Sequence, residues 1–294
     1  MNPSSKRRAF ALTGYPLGHT MSPPLHQRLF AMAGREGEYQ VLEIPPEELS
    51  SRVEELLALD GFNVTIPHKL GIIPYLDELS DSARRYGAVN TVKCGEKSIG
   101  YNTDVDGFVR ALAEAGVELK SKRVLVLGAG GAGRMMAIES CLGGCDVVVA
   151  IRMSSVPRAE ALAADIRALR PDAKIRICLM DELLPLIGEE GGFDLLCNAT
   201  PVGMYPKTDA MPAQEEVIKV CGCVFDAIYN PGRTRLLEVA QRHGIPTVGG
   251  MSMLVWQAVA AHEIWDGDRY DPGDIQKLTE EMSQLVSLQF GGGK

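Results

Sequence analysis

Three glycines, Gly128, Gly130 and Gly133, stand in G-x-G-x-x-G spacing within RVLVLGAGGAGRMMAIESCLGG, after an apolar run and at the head of a helical pattern. In that context Gly128 permits the tight turn, Gly130 lets a pyrophosphate approach the backbone, and Gly133 lets helix and strand pack closely. The free amides of the turn, which also includes Ala129, Gly131 and Ala132, would face the anion at the helix start. A glycine-rich turn without a ligand carries the same letters, but the strand before it and the helix after it favour a dinucleotide. The next predicted strand ends in Ala150, Ile151 and Arg152, and Asp146 lies at its beginning rather than its end. No acid is therefore placed to accept from a ribose 2′-hydroxyl, whereas Arg152 and Arg158 offer the forked donors that suit a 2′-phosphate. This favours NADP, with NAD as the alternative if the two arginines are only solvated surface groups.

A second set of polar residues falls at the ends of predicted strands in the first half of the chain, where open α/β sheets bind ligands. The segments are GYPLGHTMSPPLH (14–26), NVTIPHK (63–69), GAVNTV (87–92) and GYNTDVDG (100–107). Thr20 and Ser22 flank a predicted helix start whose first turn holds Pro23 and Pro24. Two hydroxyls beside free helix-start amides suit a carboxylate, and the competing reading has Ser22 simply capping the helix. Asn63 and Asn102 are expected to pin loops through their amides. His19, His26, His68, His243 and His262 share no ligand spacing, and no metal site is expected.

Short apolar runs alternate with helical patterns almost throughout, and these must carry the polar segments. Residues 8–13, 39–44, 61–66, 88–94, 123–128, 146–151, 174–179, 194–199 and 223–228 read as strands. Residues 46–59 place Leu49, Val53, Leu56 and Leu57 on one helical face. Such alternation implies an α/β protein with parallel sheets covered by helices. The predicted organisation is two domains with a cleft between them: an N-terminal α/β substrate domain from 1–104 plus 251–294, and a Rossmann dinucleotide-binding domain from 105–250. The stretches after Gly250 are helical and return to the first domain in this reading.

The 294 residues carry 38 acidic against 30 basic side chains, a formal charge of -8, and 46% are hydrophobic. Disorder is excluded, and nucleic acid is a poor partner for a chain without a basic patch. Seven cysteines without C-x-x-C or zinc spacing read as reduced, mostly buried thiols. No apolar run is long enough for a bilayer span, and the opening residues break too early for a signal-peptide core, so a cytoplasmic protein without membrane contact is expected.

Taken with GAGGAGR (128–134), NATPVGM (198–204), DAIYNPGRTRLL (226–237) and GGMSMLVWQA (249–258), the polar segments make the chain resemble shikimate dehydrogenases over most of its length. The resemblance implies reversible reduction of 3-dehydroshikimate to shikimate by NADPH, in the synthesis of aromatic amino acids. It assigns Lys69 to the reacting carbonyl and Asp104 as its acidic partner. The chemistry agrees, since hydride delivery to a ketone builds charge on oxygen that an ammonium can stabilise and then neutralise. It further implies that Thr65, Asn90, Asp104 and Gln257 hold ring hydroxyls, that Tyr229 lies near the carboxylate, and that Asn198, Thr200, Ala227, Gly250 and Met253 are on the cofactor side. Two serines usually occupy the positions of Thr20 and Ser22 in this family, and Asn-Arg-Thr often stands where Ile151, Arg152 and Met153 are found. Those departures keep an NAD-linked quinate/shikimate or aminoshikimate dehydrogenase in view. A dinucleotide-sensing protein without turnover is the alternative of a different class. The resemblance admits a homodimer and leaves the oligomeric state open.

Overall fold

The computed structural model of the protein describes residues 8–18 and 20–290. Residues 1–7, the first part of the opening stretch read above as lacking a signal-peptide core, and His19, given no role, lie outside the described residues. The chain divides into two compact units, one of Met1–Gly107 and Val255–Leu278 and the other of Phe108–Leu254 and Thr279–Lys294.

In the first unit β1 (Arg8–Gly14), β2 (Gly37–Glu43), β3 (Gly61–Val64), β4 (Glu78–Leu79), β5 (Thr91–Lys93) and β6 (Ile99–Tyr101) form one sheet in the order β2-β1-β3-β5-β6-β4. β1 is parallel to β2 and β3, and β4 to β6. β5 is antiparallel to both β3 and β6. The expectation of purely parallel sheets is thus corrected here, because residues 94–98 between β5 and β6 are too few for a crossover and reverse the chain instead. Helices α1 (Ser22–Met32), α2 (Leu49–Leu57), α3 (His68–Gly71), α4 (Asp81–Tyr86) and α5 (Asp104–Glu114) follow the strands. Successive β1 side chains point to opposite faces, and both faces are covered. Phe10 packs with Phe30, Ala261 and Trp265, while Ala11 joins Leu49, Val53, Leu56 and Ile72.

The second unit contains β7 (Arg123–Leu127), β8 (Asp146–Ile151), β9 (Lys174–Leu179), β10 (Leu195–Asn198), β11 (Val224–Asp226) and β12 (Thr247–Gly249). All neighbours are parallel, in the order β12-β11-β10-β7-β8-β9. Counting from β7 this is the doubly wound dinucleotide-binding order, with the direction of winding reversing between β7 and β10. The connecting helices are α6 (Gly131–Leu142), α7 (Val156–Leu169), α8 (Leu183–Glu190), α9 (Glu215–Lys219) and α10 (Arg235–Arg242). β7 and β8 are buried on both faces from Val124 to Leu127 and from Val147 to Ile151, which is why they read as unbroken apolar runs. β12 has only three residues, too few to show a period. Two long helices end the fold, α11 (Gly250–Asp266) and α12 (Pro272–Phe290). From Thr279 onward α12 groups with the second unit, where its Ser283 carbonyl and Ser287 hydroxyl approach the Gly232 turn.

All seven cysteines are free thiols, six of them buried, with Cys94 partly so. Burial pushes Cys94, Cys141 and Cys221 up to about 12, so these thiols stay protonated and inert. Among the described residues no helix is long and apolar enough to cross a membrane.

Candidate active site

Lys69 is the second residue of α3, a single turn that follows β3 through Thr65, Ile66 and Pro67. The turn is held at both ends. The amide of His68 donates to the Thr65 carbonyl at 2.9 Å, and the Lys69 carbonyl accepts from Val89 at 2.8 Å. His68 points inward, and its Nε2 meets the Ile44 carbonyl at 2.5 Å, so Lys69 is the side chain left facing outward. Its Nζ donates to Asp104 Oδ2 at 2.6 Å, with 28% of the lysine side chain and 14% of the aspartate exposed.

Asp104 opens α5 rather than preceding it as a cap, and its amide donates to Asn102 Oδ1 at 3.1 Å. Asn102 also donates to the Ala88 carbonyl at 3.0 Å, which is the loop-pinning role expected of it. The second Asp104 oxygen accepts from Asn90 Nδ2 at 2.9 Å, and the same nitrogen lies 3.2 Å from Gln257 Oε1. Asn90 is itself fixed, because its Oδ1 accepts from the Thr103 amide at 2.7 Å and from the Thr91 hydroxyl at 3.1 Å. Four predicted residues, Lys69 in α3, Asn90 just before β5, Asp104 in α5 and Gln257 in α11, therefore form one bonded group within the first unit. Thr65 stands half-buried between β3 and α3, and its methyl group borders Gly14.

Thr20 and Ser22 form a second group, with the Thr20 hydroxyl donating to Ser22 Oγ at 3.2 Å and accepting from the Ser22 amide at 3.1 Å. The expectation that Ser22 caps α1 is corrected. Met21 occupies the cap position without a side-chain bond, and Ser22 is the first helical residue, so its hydroxyl is not committed to the helix.

In the second unit the glycines of the fingerprint differ in what surrounds them. Gly128 has φ +95°, a conformation that a side chain would strain, and a Cβ on Gly133 would lie 2.1 Å from the Gly128 carbonyl oxygen. A Cβ on Gly130 or Gly131 would meet nothing within 4 Å. The space above the start of α6 is thus open to a ligand phosphate, with the amides of Gly130, Gly131 and Ala132 at the positive end of the helix. Arg152 follows β8 and Arg158 lies in the first turn of α7, and both are exposed. No carboxylate stands at that strand end. This donor set suits a 2′-phosphate better than a free ribose hydroxyl.

Asn198 ends β10 fully buried, donates to Asp226 Oδ1 at 3.0 Å, and accepts from the Thr200 hydroxyl at 2.7 Å and amide at 3.1 Å. Asp226 also accepts from the Thr234 hydroxyl at 2.6 Å and the Ile228 amide at 3.1 Å. Burial pushes the Asp226 carboxyl up, against the pull of these three bonds. Asp226 was not singled out in the sequence; its only signal was an acid closing an apolar strand. Ala227 donates its amide to the Asn198 carbonyl at 3.0 Å. The room beside Gly250 is taken by the Ala227 carbonyl, 2.4 Å from where a Cβ would lie, so this glycine serves the contact between α11 and the loop after β11. Met253 is buried in α11, and Tyr229 is partly exposed, with its phenol pushed up by burial.

An all-parallel sheet in this order, opened by a glycine turn of this geometry, places the chain among the dinucleotide-binding α/β proteins. Residues 12–92 match the family model for the shikimate dehydrogenase substrate binding domain. A shikimate dehydrogenase (NADP(+)) of Symbiobacterium thermophilum is 38% identical over 276 residues, covering 92% of each chain. Shikimate 5-dehydrogenase of Thermus thermophilus, solved in complex with NADP(H) and shikimate, superposes with a TM-score of 0.81 at 34% identity over 94% of this chain and 99% of that one. A ligand-free 5-ketofructose reductase of Gluconobacter is similar at 31% identity and a TM-score of 0.81, over 95% of this chain and 99% of that one. The chain belongs to the shikimate dehydrogenase family.

Proposed function

We propose that the protein is a shikimate dehydrogenase, reversibly reducing 3-dehydroshikimate to shikimate with NADPH in aromatic amino-acid synthesis. The observation that carries this reading is the Lys69–Asp104 pair at 2.6 Å, tied through Asn90 to Gln257. NADPH, when bound, supplies the hydride. Lys69 then donates a proton to the oxygen on which charge develops, and Asp104 holds the ammonium in place for that transfer. Asn90, Gln257 and Thr65 supply the donors and acceptors that a ring bearing several hydroxyls requires, since each buried hydroxyl left unpaired costs roughly 1–3 kcal/mol. Thr20 and Ser22 hold the substrate carboxylate with two hydroxyls and the first amides of α1. Gly128, Ala129, Gly130, Gly131 and Ala132 take the pyrophosphate of the cofactor, and Arg152 with Arg158 its 2′-phosphate.

Steady-state absorbance assays over shikimate, quinate and 5-ketofructose, each with NADP and NAD, test the reading. Shikimate with NADP is expected to give the highest kcat/KM. Preference for quinate or for NAD would move the protein to the rival dehydrogenases, and no turnover with any pair would leave a dinucleotide sensor.

A further inference from the structure

Asp226 is fully buried at the end of β11, and its three donors are all uncharged: the Asn198 side chain at 3.0 Å, the Ile228 amide at 3.1 Å and the Thr234 hydroxyl at 2.6 Å. Burying a carboxylate among uncharged donors costs stability. Its effect is to fix the direction of one side-chain amide. An ionised carboxylate only accepts hydrogen bonds, so Asn198 must turn Nδ2 toward Asp226 and Oδ1 away from it.

Oδ1 of Asn198 then accepts from the Thr200 amide at 3.1 Å and the Thr200 hydroxyl at 2.7 Å. The Thr200 hydroxyl oxygen in turn accepts from the Val202 amide at 3.2 Å. A side chain bonded to the backbone amide two residues on thus occurs twice in succession, at Asn198 and at Thr200, and bends the chain as it leaves β10. The bend brings the Thr200 methyl against Gly128, where a Cβ would lie 2.9 Å from it. A flipped Asn198 would set its Nδ2 against two donors on Thr200 and release the bend. The single hydroxyl proton of Thr200 is committed to Asn198, so Thr200 does not donate to a phosphate while that bond stands. Its contribution to the glycine turn is therefore its position.

We infer that Asp226 is a positioning residue for the dinucleotide: by fixing the Asn198 amide it holds Thr200 against Gly128 and keeps the glycine turn in shape for a pyrophosphate. This rests on the proposed function only in taking the glycine turn as the dinucleotide site. Titration calorimetry of the full-length protein with NADP and with NAD reads the effect, because both carry the pyrophosphate. Asp226→Ala removes the acceptor and should weaken both dinucleotides threefold or more, by similar factors, the scale of about one lost neutral hydrogen bond. Asp226→Asn should bind both within threefold of wild type. Its amide nitrogen would meet two donors on the side of Asn198 and Ile228, so it turns to Thr234, whose hydroxyl can rotate to accept. A purely structural role would lower the melting temperature of Asp226→Ala and leave the affinity of the folded protein unchanged. Because Asp226 acts through Thr200, its effect should not multiply with that of Thr200→Val, which removes the hydroxyl and keeps the shape. In that background Asp226→Ala should change either affinity by less than about twofold. Thr200→Val leaves every bond of Asp226 in place, so it carries the test if Asp226→Ala does not fold: both dinucleotides should weaken threefold or more, and a smaller loss would overturn the inference. It is overturned equally by affinities within threefold of wild type in folded Asp226→Ala, by a loss confined to NADP, by equal losses in Asp226→Ala and Asp226→Asn, or by full multiplication with Thr200→Val. A wild type that binds dinucleotide without turning over shikimate would overturn the proposed function and leave this inference standing, whereas one that binds neither dinucleotide would overturn both.

Discussion

The stacked imidazoles of His26 in α1 and His262 in α11 should make the protein's stability depend on pH in a range where most of its charged groups do not titrate. His26 and His262 are 3% and 0% exposed, and their ring nitrogens are 3.1 Å apart. That hydrogen bond needs a lone pair on one ring and a proton on the other, so full protonation of both rings breaks it. Burial is the main cause that lowers His26 well below 6.5, and His262 adds to it. Burial also lowers His262; Asp268 pulls the other way, and Arg35 and Arg8 reinforce the fall. The folded values lie below the unfolded ones, so the associated stability is fully present above about pH 6.5 and drains away as the pH falls and the unfolded chain takes up protons that the folded chain refuses. If both rings stay neutral in the folded state, moving from about pH 7.5 to about pH 5.5 costs about 1.4 kcal/mol for each, or about 2.7 kcal/mol together. Urea unfolding followed by circular dichroism at the two pH values measures this difference. The His26→Gln, His262→Gln double variant serves as the reference, because every other titrating group is common to both proteins. The wild type should lose more than the variant over that interval, by up to about 2.7 kcal/mol. Equal losses would refute the claim that the pair is held neutral by burial.

Two further outcomes follow from the second unit. Arg152→Ala should weaken NADP binding about ten- to a hundredfold, measured by titration calorimetry, and leave NAD little changed, because only NADP presents a 2′-phosphate to a charged donor; equal losses would remove Arg152 from that role. Gly133→Ala should lower the melting temperature sharply, since its Cβ would lie 2.1 Å from the Gly128 carbonyl oxygen, while Gly130→Ala, with nothing within 4 Å, should spare stability and weaken dinucleotide binding. Similar melting temperatures for the two alanine variants would contradict the division between packing and ligand approach.

Legibility in the sequence followed the length and burial of each element. β7 and β8 were plain because strands buried on both faces become continuous apolar runs, and the fingerprint gained its meaning from the strand in front of it. β4, β6 and β12, of two or three residues, have no period to detect, and without β6 the antiparallel turn in the first sheet could not be foreseen. Ser22 followed by Pro23 carried a cap signal, yet the chain enters α1 one residue earlier and frees the serine. Lys69, Asn90, Asp104 and Gln257 came from family motifs, and their mutual bonding needed the fold, since Gln257 is far along the chain from Asn90.

The most direct measurement is turnover of shikimate with NADP by the wild type and by Lys69→Ala, followed through the absorbance of the reduced dinucleotide, with NADP affinity measured in parallel. Lys69 belongs to the first unit and the glycine turn to the second, so the substitution should abolish most turnover while leaving NADP affinity near the wild-type value. A variant that keeps more than about a tenth of wild-type turnover, a rise in barrier of under about 1.4 kcal/mol, would contradict the assignment of Lys69 as the proton donor.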